Sequence, residues 1–199
     1  MNPLVLKLGG SLTGSDRLHS ILDLITRAQR PVIIVPGGGP FADAVRTLQP
    51  KLAFDDLTAH AMALLSMDQM ALYLASLHPR LVPSQTVPGI ATALQTGKIP
   101  VWQPYRLQHD DTSLPADWTV TSDALAARLA ERLTSASVAL LKSCPVPQDA
   151  GLDRLTEQGI VDQAFAPTVR RTHLTWGVYG PADEPLLAKR LFIGHAIRH

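Results

Sequence analysis

Two stretches of this chain carry the residue types that phosphate chemistry needs: Lys7-Leu8-Gly9-Gly10-Ser11-Leu12 and Val35-Pro36-Gly37-Gly38-Gly39-Pro40. Glycine lets a backbone approach a ligand closely and adopt positive φ, so that several N–H groups can converge on one oxyanion. Lys7, two residues before the first glycine pair, can place its ammonium among phosphate oxygens. Phosphoryl transfer asks for little more, because it is catalysed mostly by positioning and charge neutralisation. The second turn also supports a rival reading. Gly37, Gly39 and Ala42 fit G-x-G-x-x-A, with Asp55 and Asp56 roughly 20 residues further on, as in a dinucleotide fold. That rival leaves the first turn without a role, and it puts the acidic pair at the start of a helix rather than at the end of a second strand. A P-loop is excluded, since G-x-x-x-x-G-K-S/T does not occur.

The elements around these turns are legible from periodicity. Pro3 to Leu8 is an apolar run broken only by Lys7, which predicts a buried strand ending at the first turn. Ser15 or Asp16 can cap a helix on which Leu18, Ile21, Leu22, Ile25 and Ala28 recur at helical spacing up to Pro31. Pro31 to Val35 predicts a second strand, and Phe41, Ala42, Val45 and Leu48 predict a helix after the second turn. In a parallel sheet both turns then lie on one edge, with helix N-termini behind them. A long helix is expected from Asp55 to Leu77, strands at Leu81 to Val82, Ile99 to Trp102 and Val138 to Leu141, and a helix from Thr121 or Ser122 to Leu133. Tyr105 to Trp118 is polar and proline-bounded and reads as a loop or short hairpin near the site. Val161-Asp162, Leu174 to Tyr179 and Leu191 to Ile193 predict two or three more short elements. Strands alternating with helices argue for an α/β fold, a three-layer αβα sandwich with a mostly parallel central sheet.

With 199 residues and 46% apolar content the chain is expected to close one hydrophobic core, as a single domain over residues 1–199. No apolar run approaches the roughly 20 residues that span a bilayer, so no membrane partner and a cytoplasmic location are expected. Cys144 is the single cysteine, which leaves no intrachain disulfide and no cysteine-based metal cluster; it is expected to be a half-buried apolar residue. A formal charge of +1 without a basic stripe argues against nucleic acid as a partner.

Three segments in this order, Lys7 to Leu12, Val35 to Pro40 and Val120-Thr121-Ser122-Asp123-Ala124-Leu125-Ala126-Ala127, resemble the amino acid kinase superfamily, which includes acetylglutamate, aspartate, uridylate and isopentenyl phosphate kinases. Further pieces, His60-Ala61-Met62-Ala63, Met67-Asp68-Gln69, Leu140-Leu141-Lys142-Ser143 and Gly159 to Phe165, resemble its aminomethylfuran-methyl phosphate kinase group of methanofuran-type biosynthesis. The resemblance implies ATP and Mg2+ as cofactors, a small phosphorylated molecule as acceptor, and a homo-oligomer. It implies catalytic roles for Lys7 and Asp123, the aspartate orienting the lysines or the magnesium nucleotide. Lys7, Gly9, Gly10, Ser11, Lys142 and Ser143 would hold the nucleotide, and Gly37, Gly38 and Gly39 the acceptor; no residue is expected to bind a metal directly.

On the acceptor side, His60 and Asp68 stand eight residues apart on the long helix and could meet an acceptor bearing a phosphate and an ammonium group. Arg46 and Arg106 are weaker candidates for neutralising a phosphate. Lys142-Ser143-Cys144-Pro145-Val146 departs from the aspartate and Val-Asp-Gly turn of many superfamily members, so the adenine contacts do not carry over. Two other readings stay open: a non-catalytic nucleotide- or oxyanion-binding protein of the same fold, and a nicotinamide-dependent dehydrogenase resting on the second turn.

Overall fold

The computed structural model describes residues 2–109, 111–134 and 137–192. β1 (Leu4–Leu8), β2 (Val32–Pro36), β3 (Leu81–Ser84), β4 (Ile99–Trp102), β5 (Ser137–Leu141) and β6 (Trp176–Tyr179) form one sheet in the order β3-β4-β2-β1-β5-β6. Every pairing is parallel, so the sheet described is wholly parallel rather than mostly so. The chain leaves β1 on one side for β2 and returns on the other at β5. In open α/β sheets such a reversal opens a crevice at the carboxyl ends of the strands.

Side chains alternate across a strand with period 2. Leu4, Leu6 and Leu8 therefore enter the core shared with α1 (Asp16–Thr26) and α9 (Glu184–Phe192), while Val5 enters the core of α6 (Ser122–Arg132) and α8 (Phe165–Thr172). Lys7 has the parity of Val5, so it emerges at the end of β1 on the α6 side. α1 is capped by Ser15, whose Oγ accepts from Leu18 N–H. α2 (Gly39–Leu52) begins at the second glycine turn, and α3 (Asp56–Ser76) is capped by Asp55, which accepts from Thr58 N–H at 2.8 Å. That cap removes the acidic residue a dinucleotide fold would need at a strand end.

The structure departs from expectation in four places. α4 (Val87–Gln95) is not announced by its sequence, because Val87-Pro88-Gly89 reads as a breaker; in fact Pro88 sits in the first turn, where its missing N–H costs nothing, and Thr86 caps Gly89 N–H at 3.1 Å. The Tyr105 to Trp118 segment opens with a helical turn, α5 (Tyr105–Gln108), nucleated behind Pro104. After β5 there are four elements among the described residues, not two or three: α7 (Leu152–Glu157), α8, β6 and α9. The run ending at Ile193 is the end of α9, and Ile193 itself lies outside the described residues. Cys144 is exposed, on the turn after β5, rather than half-buried. No helix among the described residues is long and apolar enough to cross a membrane.

Candidate active site

The two glycine turns meet backbone to backbone. Gly37 N–H donates to the Leu8 carbonyl at 2.8 Å, and a Cβ built on Gly10 would stand 2.4 Å from the Gly39 nitrogen. Gly39 has φ of +54°, which a side chain rarely tolerates. After Gly9 the chain makes a single 3-10 turn, Gly10–Leu12, closed by Thr13 Oγ1, which donates to the Gly10 carbonyl at 2.6 Å.

Beside the turns lies a group of charges. Asp123, at the second position of α6 and 2% exposed, is flanked by two lysines. Lys7 Nζ is 3.0 Å from its Oδ1, and Lys142 Nζ, from the residue after β5, pairs with its Oδ2. Burial would push the Asp123 carboxyl up, but the two ammoniums outweigh it and hold it below the usual carboxylate range. Lys142 is pushed down by burial and by the charge of Lys7, against the pull of Asp123. Two cations thus share one buried anion. Arg17 of α1 fixes the second lysine from behind, donating to the Lys142 carbonyl at 2.6 Å and to Glu184 of α9 at 2.7 Å.

Two cavities adjoin at the N-terminus of α6, sharing Trp118 and Thr121 as walls. The first, of about 480 Å³, is lined by Gly10, Ser11, Thr13 and Gly37 to Gly39, by Asp43 and Arg46 of α2, and by His60 and Met67 of α3. The second, of about 710 Å³, is lined by Lys7, Asp123 and Lys142, by Asp56 and Asp117, and by Gly159 to Gln163. Trp118 is clamped against α2, its indole N–H donating to Gln49 at 2.6 Å and the Arg46 guanidinium lying 4.4 Å from its ring centroid. Burial lowers the pKa of His60, against the charge of Asp117, which favours a neutral imidazole in the first cavity.

The residues singled out in the sequence fall as follows. Lys7, Asp123 and Lys142 come together; Gly10, Ser11, Gly37, Gly38, Gly39, His60 and Arg46 line the neighbouring cavity. Gly9 is buried beneath the first turn, against the Leu141 carbonyl. Ser143 stands at the rim, accepting from Ser11 Oγ at 2.9 Å. Asp68 is not brought to the cavity: a helical step of eight residues rotates it by about 80° from His60, and its Oδ1 accepts from Tyr105 N–H at 3.2 Å on α5. Arg106 is exposed on α5 and lines neither cavity. Thr13, Arg17, Trp118, Thr121 and Asp162 were not singled out. A tryptophan within an otherwise polar loop, and an aspartate directly after Ile160-Val161, are the signals by which two of them could have been found.

A model of the family described as amino acid kinase matches residues 2–145. The chain belongs to the amino acid kinase family. A curated relative, [5-(aminomethyl)furan-3-yl]methyl phosphate kinase of Methanocaldococcus jannaschii, is 25% identical over 123 residues, which are 61% of this chain and 56% of that protein. The chain thus matches little more than half the length of that relative. Among solved structures, uridylate kinase of Archaeoglobus fulgidus superposes with a TM-score of 0.68 at 18% identity, covering 99% of this chain and 98% of that one. UMP kinase of Bacillus anthracis gives 0.68 at 17% identity over 98% and 93%, and an isopentenyl phosphate kinase 0.61 at 18% over 99% and 98%. These likenesses show the amino acid kinase fold: a parallel sheet flanked by helices, extending over the region past residue 145 as well.

Proposed function

We propose that this chain is a cytoplasmic, ATP-dependent kinase that transfers the γ-phosphoryl group to a small phosphate ester, with [5-(aminomethyl)furan-3-yl]methyl phosphate as acceptor and its diphosphate as product, in one-carbon cofactor biosynthesis of the methanofuran type. The observation that carries the reading is the lysine pair: Lys7 and Lys142 both reach the buried carboxylate of Asp123, beside the two glycine turns. Such a site is completed by a polyphosphate. The name of the curated relative supports the acceptor, and the kinase names of the structural neighbours support the reaction class.

The acceptor phosphate lies in the first cavity, against the amides of Gly38 and Gly39 and within reach of Arg46. The ATP polyphosphate lies in the second, reaching the Gly10 turn. An acceptor oxygen attacks the γ-phosphorus, and the bond from that phosphorus to the β-bridging oxygen breaks, leaving ADP. A phosphate monoester has its second pKa near 6, so its oxygen is already anionic at pH 7 and needs no general base. Lys7 and Lys142 neutralise charge on the transferring group, while Asp123 keeps both ammoniums charged and separated. Among the described residues no cluster of three His, Cys, Asp or Glu could hold a metal by itself. Magnesium would therefore enter on the nucleotide's own phosphates and waters.

The test is ADP release with magnesium and ATP against a panel: the furan phosphate, UMP, isopentenyl phosphate, acetylglutamate and aspartate. Turnover with the furan phosphate, abolished in Lys7→Ala at unchanged Tm, is expected. ATP binding without turnover on any acceptor would instead favour the non-catalytic reading.

A further inference from the structure

A helix N-terminus leaves backbone N–H groups without intrahelical partners, and the side chain of the N-cap residue usually satisfies one of them. α6 is capped differently. The Thr121 hydroxyl is 3.5 Å from Asp123 N–H, at the limit of a hydrogen bond, and it donates instead to Asp162 Oδ2 at 2.8 Å. The same carboxylate oxygen accepts from Thr121 N–H at 2.9 Å and from Ala124 N–H at 3.0 Å. Its other oxygen accepts from Phe165 N–H at 2.8 Å, at the start of α8. The cap of α6 is thus supplied from 38 residues away, and it joins the first turns of two helices.

Ser122 and Asp123 lie between the capped positions, Thr121 and Ala124. Asp162 also lines the cavity of Lys7 and Lys142, within the segment Gly159 to Gln163 of its wall. A local serine or aspartate cap would satisfy α6 without bringing a second buried carboxylate near Asp123. Burial and the charge of Asp123 both push the Asp162 carboxyl up, against its hydrogen bonds from Ala124 and Thr121. That cost brings the helix end under the control of the cavity wall.

We propose that Asp162 is a positioning residue for the transfer site: by capping α6 from the wall of the nucleotide cavity it fixes the Asp123 carboxylate, and through it the placement of Lys7 and Lys142. This rests on the kinase reading above. A residue acting through Asp123 has no one to act through once Asp123 is gone, whereas a purely structural cap costs the same rate in either background.

The experiment is a double-mutant cycle with Asp162→Asn and Asp123→Asn, reading single-turnover rate and Tm for the four proteins. Asp162→Asn is expected to slow turnover by about 10- to 100-fold alone, the size of a misplacement remote from the chemistry, and by less than about 3-fold in the Asp123→Asn background. The Tm loss should be larger in the Asp123→Asn background, where the Asp162 carboxylate no longer meets the charge of Asp123. Equal rate losses in both backgrounds, or an unchanged rate with a lowered Tm, overturn the proposal. Should Asp162→Asn not fold, Thr121→Val removes one donor to the same carboxylate and carries the same cycle. Competitive acetylation read by mass spectrometry separates this outcome from failure of the kinase reading. Asp162→Asn should raise the reactivity of Lys7 and Lys142 severalfold relative to Lys51 and Lys98 even if no acceptor is turned over, and unchanged lysine reactivity overturns the proposal on its own.

Discussion

Lys7 and Lys142 compete for one carboxylate, and that ratio separates what the site needs for stability from what it needs for function. A buried ion pair roughly balances its desolvation cost, and for Lys142 burial and the charge of Lys7 outweigh the attraction of Asp123 and Asp162. Lys142→Met removes that buried charge and leaves the Lys7–Asp123 pair intact. The protein without nucleotide is expected to keep or raise its Tm, while kcat falls by about 100- to 1,000-fold, the usual loss for one electrostatic contact to a developing charge. Thermal melts and turnover on one preparation check this; a lower Tm with activity retained would make Lys142 structural.

Asp68 gives a pH-dependent counterpart. Burial pushes its carboxyl up to about 6, only partly offset by the N–H of Tyr105. The folded pKa lies above the unfolded value of about 4, so the folded state holds this proton more tightly. Stability from this group is therefore full below about pH 4 and is lost as pH rises toward 6. Asp68→Asn keeps the oxygen acceptor and removes the charge. It should raise Tm at pH 8 by roughly 2–4 °C, about 1 kcal/mol once discounted for partial exposure, and change nothing at pH 4. At this scale the sequence reveals residue types better than partners. Lys7 and Asp123 stand out through their motifs, but Asp68 shares a helix with His60 at about 80° around it, and its contact with α5 is encoded by no local spacing.

The elements explain why two unremarkable turns make one site. β1 and β2 are adjacent and parallel, so the turns leave the sheet side by side, and the absence of Cβ atoms at Gly10 and Gly37 lets them touch. Gly10→Ala would place a methyl 2.4 Å from the Gly39 nitrogen, where only the backbone could yield. The expected result is a loss of about 3 kcal/mol, toward the upper end for overpacking, together with loss of turnover. Gly14→Ala is the control. Its φ of +74° imposes strain, but nothing lies within 4 Å of the added carbon, so about 1 kcal/mol should be lost with activity retained. Denaturant midpoints for the two variants decide between contact and strain. The strands bordering these turns were legible because buried parallel strands are continuous apolar runs. α4 was not, because proline and glycine in a first helical turn look the same as in a loop. Nor was the cap of α6, because Thr121-Ser122-Asp123 offers a plausible local cap that the tertiary structure overrides.

At the scale of the whole molecule, the large apolar side chains left exposed among the described residues are Phe41, Leu48 and Leu52 on α2 and Leu57, Leu65 and Leu72 on α3. The two helices pack on each other. On α3 the exposed leucines lie opposite Met67, Met70 and Leu74, so this helix is apolar on both sides, the pattern of a helix buried on both sides. We propose that a second copy of the chain covers this face through a two-fold contact, in which each stripe meets its own counterpart and the contact closes upon itself. The charges near it, Asp43 with Arg46 and Lys51 with Asp55 and Asp56, are mixed in sign, which suits self-pairing better than a strongly charged partner would. Light scattering at micromolar concentration should therefore give twice the chain mass of 21.5 kDa, and Leu65→Glu with Leu72→Glu should return the single-chain mass by setting like charges against each other across the two-fold axis. The same helices wall the first cavity through Arg46, His60 and Met67. Dissociation should therefore raise KM for the acceptor several-fold and KM for ATP by less, since the nucleotide cavity is built chiefly from residues 117–123 and the chain after β5, and α3 gives it only Asp56. A single-chain mass in the wild type would remove the two-fold contact and leave that apolar face to a different partner.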